Sequence, residues 1–77
     1  SGAQADEASI RKNLADRMDR LAENHPRGEE LRKKAEELRR NTAGFFSEPQ
    51  TVDVRQFVGS WARARRLWCE ITGETLV

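Results

Sequence analysis

The chain has a single cysteine, Cys69, so no intrachain disulfide can staple it in the manner of small secreted domains. It also has one histidine, His25, and so falls short of the four ligands of a structural zinc site. His25 lies at a turn before Pro26, with nothing to bring it to Cys69 as a base; a small buried thiol is the expected role of that cysteine. No apolar run approaches the roughly 18 residues that cross a bilayer, and no apolar signal core opens the chain. A reducing, cytoplasmic setting with no membrane partner is therefore expected.

An excess of one charge is missing as well. Fourteen Lys and Arg face thirteen Asp and Glu, leaving +1 and a pI near 7.9, whereas a nucleic-acid-binding domain usually has a pI above about 9. Gly28, Gly44, Gly59 and Gly73 are isolated and form no dinucleotide or phosphate loop. Asp16, Asp19 and Glu23 share a helix side with Lys12 and Arg20 and read as solvated charges, not as an acid–base pair. No catalytic residue, metal ligand or cofactor is assigned, and the chain is not expected to be an enzyme.

The pattern that remains is helical. Ile10, Leu14, Met18 and Leu21 recur at helical spacing and predict helix 1 over 9–24, capped by Asp6 or Ser9. Residues 1–8 are expected as a flexible tail; their start without Met is compatible with a cloning remnant on a piece of a longer protein. Pro26 is expected as a first-turn residue of helix 2, over 26–43, with the seam Leu31, Ala35, Leu38 and a stop at Gly44. Pairs Glu29–Lys33, Glu30–Lys34 and Glu36–Arg40 have i,i+4 spacing. One kinked helix across residue 25 is the competing arrangement. Helix 3 is predicted to start at 48 or 52, capped by Ser47 or Thr51, and to run to 72 with Gly73 as its stop. Its apolar arc comprises Val54, Phe57, Val58, Trp61, Ala64, Trp68 and Ile71, widened by Leu67. The fold class is thus all-α, a helical hairpin plus a longer third helix in one small domain, completed where needed by oligomerisation.

The distribution of apolar residues is lopsided. Twelve of the eighteen large ones lie from Phe45 onward, and helices 1 and 2 offer six to cover them. Two readings are open: a three-helix bundle in which Lys and Arg stems complete the cover, or an aromatic face of helix 3 that meets another chain. The second makes Phe57, Trp61, Arg65 and Trp68 candidate partner-binding residues, the partner being a second copy or a different protein. Arg65, between the two indoles in sequence, either forks to a partner carboxylate or snorkels to a Glu or Asp of helix 1 or 2. The leading function is a non-catalytic protein-interaction module. The alternative is a nucleic-acid-binding or transcription-regulating module that uses Arg55, Arg63 and Arg66 with Arg32, Lys33, Lys34, Arg39 and Arg40. Against it, glutamates are interleaved with those charges.

Overall fold

The computed structural model describes residues 2–47 and 54–76, with side chains over 7–42 and 55–76. Three helices make up the fold: α1 (Gly2–Ala22), α2 (Gly28–Ser47) and α3 (Val54–Thr72). The first two pack closely as an antiparallel hairpin, and α3 lies mainly against α2, with a smaller contact to α1. The all-α hairpin plus third helix is therefore the fold, and residues 23–27 break what would otherwise be one long helix.

The helix ends correct several expectations. Helix α1 begins at Gly2, so most of the segment expected as a tail is helical, and neither Asp6 nor Ser9 caps the start. Ala3, Gln4, Ala5, Glu7 and Ala8 are good helix formers, and no breaker separates them from the stripe that follows. Helix α2 starts at Gly28, two residues after Pro26. The His25 carbonyl accepts the Gly28 N–H at 2.9 Å, which places Pro26 second in a four-residue turn closed by glycine, the positions each residue favours. The Arg27 carbonyl accepts the Leu31 N–H at 3.0 Å and so makes the first bond of the helix. The Arg27 N–H in turn donates to His25 Nδ1 at 3.0 Å, so the histidine side chain works as part of the cap.

At its other end α2 runs through Gly44 to Ser47 and does not stop at the glycine. One interior glycine costs a helix only about 1 kcal/mol. Pro49, which biases the residue before it away from helical geometry, is the stronger breaker. Of the two expected α3 caps, Thr51 lies outside the described residues and Ser47 belongs to α2. The stop at Gly73 is as expected: φ is +77°, and its N–H donates to the Cys69 carbonyl at 2.8 Å, which satisfies an open helix-end acceptor.

The core is formed by Leu14, Ala15, Met18 and Ala22 of α1, Leu31, Ala35 and Leu38 of α2, and Ala64, Leu67 and Trp68 of α3. The α2 seam is the expected one, extended by the buried Thr42. The α1 stripe is rotated from expectation. Ala15 and Ala22 are buried, Leu21 is half-buried and Ile10 is 50% exposed. Three small residues, Ala15, Ala22 and Ala35, let the hairpin backbones come close, and that approach decides which face turns inward.

Rotation of α3 follows the same logic. Leu67, expected at the margin, is buried, whereas Val58 is 55% exposed. Cys69 is exposed, which corrects the expectation of a buried thiol. The atoms nearest to Gly59 on its side-chain side belong to the Arg63 guanidinium of the same helix.

Arginine–carboxylate contacts set the register between helices. Arg39 reaches Asp16 at 2.6 Å and Asp19 at 2.5 Å across the hairpin. Arg27 forks to Glu30 with two 2.9 Å bonds and reaches Glu70 of α3 at 3.2 Å. Arg63 bonds Glu37 through Nε at 2.9 Å. Of the expected i,i+4 pairs, Glu29–Lys33 and Glu36–Arg40 form, while Glu30 turns to Arg27 and Lys34 lies near Glu37.

Candidate functional site

The described part of α1 and the first half of α3 meet in an aromatic cluster that contains two arginines. Arg11 continues the buried α1 stripe one turn before Leu14 and Ala15, and is itself only 8% exposed. Its guanidinium lies 4.3 Å from the Phe57 ring centroid and 5.0 Å from that of Trp61. Arg65 approaches Trp61 from its own helix at 5.5 Å. Trp61 thus sits between two cations, a favourable placement for each cation against a ring face and an unfavourable one for the cations with each other.

Counter-charge at this edge is sparse. Arg11 has the Glu7 carbonyl at 3.2 Å and the Glu7 carboxylate at 3.9 Å. Burial holds its guanidinium below the ordinary value; Glu7 opposes that lowering and Arg65 adds to it. Among the described residues Arg65 has no carboxylate within ion-pair distance, so the expected partner on helix 1 or 2 is not there. The Nε atoms of both arginines are buried without a hydrogen-bond acceptor. Leaving a buried donor unmet costs about 1–3 kcal/mol.

The four candidate anchors therefore separate. Phe57 and Trp68 are buried within the chain, at 4% and 6% exposure. Trp61 and Arg65 are half-buried and present surface. Trp68 is held from three sides: by the core, by Arg17 at 4.7 Å over its ring, and by Glu74, whose Oε1 accepts the indole N–H at 2.6 Å. Arg17 bonds the same Glu74 oxygen at 2.9 Å. The segment after Gly73 thus folds back, and Leu76 packs on the core. Beside Arg65, an open groove of about 300 Å³ is lined by Ala62, Arg65, Arg66, Cys69, Thr75 and Leu76.

The Glu74 contact has a consequence in acid. The Trp68 indole N–H, and then Arg17, hold the Glu74 carboxyl below the usual carboxylate range; Arg39 does the same for Asp16 and Arg27 for Glu30. Each group is more acidic folded than unfolded. Its contribution to stability is therefore complete at neutral pH and disappears as pH falls through the lowered folded-state values. Thermal melts followed by circular dichroism are expected to show the midpoint dropping between about pH 5 and pH 3. Glu74→Gln should lower the midpoint at pH 7 and flatten part of that acid slope. A wild-type midpoint equal at both pH values would contradict the assignment.

The arginines of the nucleic-acid reading fare differently from one another. Arg63 is committed to Glu37, and Arg63 and Arg66 share a shallow cavity with Glu30 and Glu70. Arg55 is exposed and lies at the start of α3, well away from that cavity along the helix. The geometry therefore presents mixed charge where a phosphate surface would need a cationic field. Asp16 and Asp19, the candidate carboxylate pair, are held by Arg39. Among the described residues no three His, Cys, Asp or Glu side chains gather to hold a metal ion, and no helix is long and apolar enough to cross a membrane.

What the sequence reading missed is Arg11. Its spacing to Leu14, Ala15, Met18 and Ala22 put it on the buried stripe, but its charge assigned it to solvent. No protein-family model, curated protein or solved structure matches the chain, so its functional reading rests on its own residues.

Proposed function

We propose that this chain is a small non-catalytic protein-interaction module whose contact face is the edge at Trp61 and Arg65. The observation that carries the reading is the half-buried Trp61 flanked by two arginines with unmet donors. Tryptophan and arginine are the residues most often found at the energetic centre of protein interfaces. The exposed Ile10 and Val58 lie next in sequence to Arg11 and Phe57 and add apolar surface to the same two helices. Phe57 and Trp68 support this face from below by fixing α3 against the hairpin.

Trp61→Ala tests the proposal. Because the ring is half-buried, the variant is expected to stay helical and to lose about 1–2 kcal/mol of stability, less than a fully buried Trp would cost. Self-association is read by sedimentation over a concentration series. Binding to other chains is read by selecting a displayed random-peptide library against the wild type. The expected result is association in one of the two assays that Trp61→Ala abolishes. Association in neither, or association that Trp61→Ala leaves intact, would overturn the proposal.

A further inference from the structure

The charge distribution at this edge says what kind of chain it suits. Arg17, Arg27, Arg39 and Arg63, the arginines that bridge helices elsewhere, each meet a carboxylate at 3.2 Å or closer. Arg65 has none among the described residues, and Arg11 has only Glu7 at 3.9 Å. The two cations nevertheless share one indole, Arg11 buried and Arg65 half-buried, with the Nε of each out of reach of water. Water therefore neutralises them less than it does the exposed Arg20, Arg32 and Arg66.

The apolar part of the edge has a direction. Val58, Trp61, Ala62, Arg65 and Cys69 follow one another at helical spacing along α3, and all are at least partly exposed. The stripe is about 17 Å long at about 1.5 Å per residue, and the groove by Leu76 lies at its C-terminal end. A second copy of the chain is a poor occupant. A two-fold contact repeats the same patch on both sides, so it doubles the arginines at the edge while the stripe Val58, Trp61, Ala62, Arg65 and Cys69 brings no carboxylate to meet them.

We infer that this edge receives an acidic amphipathic helix of another protein, its apolar side on Val58, Trp61 and Ala62 and its carboxylates on Arg65 and Arg11. This rests on the interaction role proposed above and specifies its partner. A helix laid along a groove is a common way for such a stripe to be filled. A partner carboxylate that meets the half-buried Arg65 guanidinium while it stacks on Trp61 supplies the ion-pair partner that this side chain does not find among the described residues.

Two synthetic helical peptides of about 14 residues, long enough at about 1.5 Å per residue to cover the stripe, provide the probe. Both carry leucine at helical spacing; one has Glu and the other Lys on the flanking positions. Binding is followed by the NMR shift of the Trp61 indole N–H in the wild type, Arg65→Gln and Arg65→Glu, each first shown to be helical, and by that of the Arg65 Nε–H in the wild type. The Glu peptide is expected to bind at least tenfold more tightly than the Lys peptide and to shift both signals. Its affinity should fall at least tenfold on Arg65→Gln. Arg65→Glu should reverse the preference, a rescue that mere loss of packing could not produce. Equal binding of both peptides would overturn the acidic partner while leaving the interaction role standing, as would a homodimer that Arg65→Glu disrupts. Failure of both peptides to bind would remove the inference, and the role falls with it where the chain also stays monomeric and selects nothing from the displayed library.

Discussion

Gly28→Ala is expected to destabilise the chain by about 3 kcal/mol, near the upper end of what overpacking usually costs. A Cβ at this position would lie 2.2 Å from the Ala22 carbonyl oxygen and 3.1 Å from its carbon. Both atoms are backbone, so no side chain can swing aside; the end of α1 must move, and with it the turn that seats α2. Helix propensity alone predicts the opposite sign, since alanine is favoured over glycine in a helix by about 1 kcal/mol. Gly59→Ala is the matching control. There the added carbon meets the Arg63 guanidinium at 3.0 Å, a side-chain end that can give by a few tenths of an ångström while Nε keeps its bond to Glu37, and a gain of up to about 1 kcal/mol is expected. Urea unfolding followed at 222 nm reads both variants. Equal shifts of the two would mean that the hairpin does not require the close approach at Gly28.

Trp68→Ala should cost about 3–5 kcal/mol, the range for removing a large buried aromatic. Small domains often have a total of only about 5 kcal/mol, so the variant is expected to be largely unfolded at 25 °C. The loss has two parts, separable by Trp68→Phe. Phenylalanine keeps most of the ring burial and the stacking of Arg17 but loses the N–H that donates to Glu74, which is worth about 1 kcal/mol. A Trp68→Ala chain with an unchanged urea midpoint would show that the indole is not part of the core.

The contrast between the two tryptophans marks how far the sequence could be read. Helical period, Pro26 and Gly73 were enough for three helices and their order, because spacing and backbone constraint act locally. Rotation of each helix about its axis was not legible. It depends on which small residues let backbones approach, and hydrophobic spacing weights Ile10 above Ala15 when the close packing of α1 on α2 demands the reverse. The surplus of apolar residues in the C-terminal half was read as a shortage of cover, and within the chain Phe57 and Trp68 are nonetheless buried. Part of the remedy came from arginine stems: Arg11 on Phe57 and Trp61, and Arg17 on Trp68. A sequence pattern that sorts residues by charge sends those stems to solvent. Trp61 and Arg65 were singled out because both stand on the α3 arc. That Arg65 meets no carboxylate among the described residues depends on pairing across helices, which no local spacing encodes.

Both indoles stand on α3, each beneath a guanidinium, and the chain contains no tyrosine. Its intrinsic fluorescence therefore observes the seating of α3 on the hairpin, including the α1 arginines over both rings, whereas the far-ultraviolet signal averages all three helices. If the emission changes at lower denaturant than the ellipticity does, α3 leaves its place before the hairpin opens. The molecule thus carries its own reporter for the part of the structure on which the proposed contact face is built.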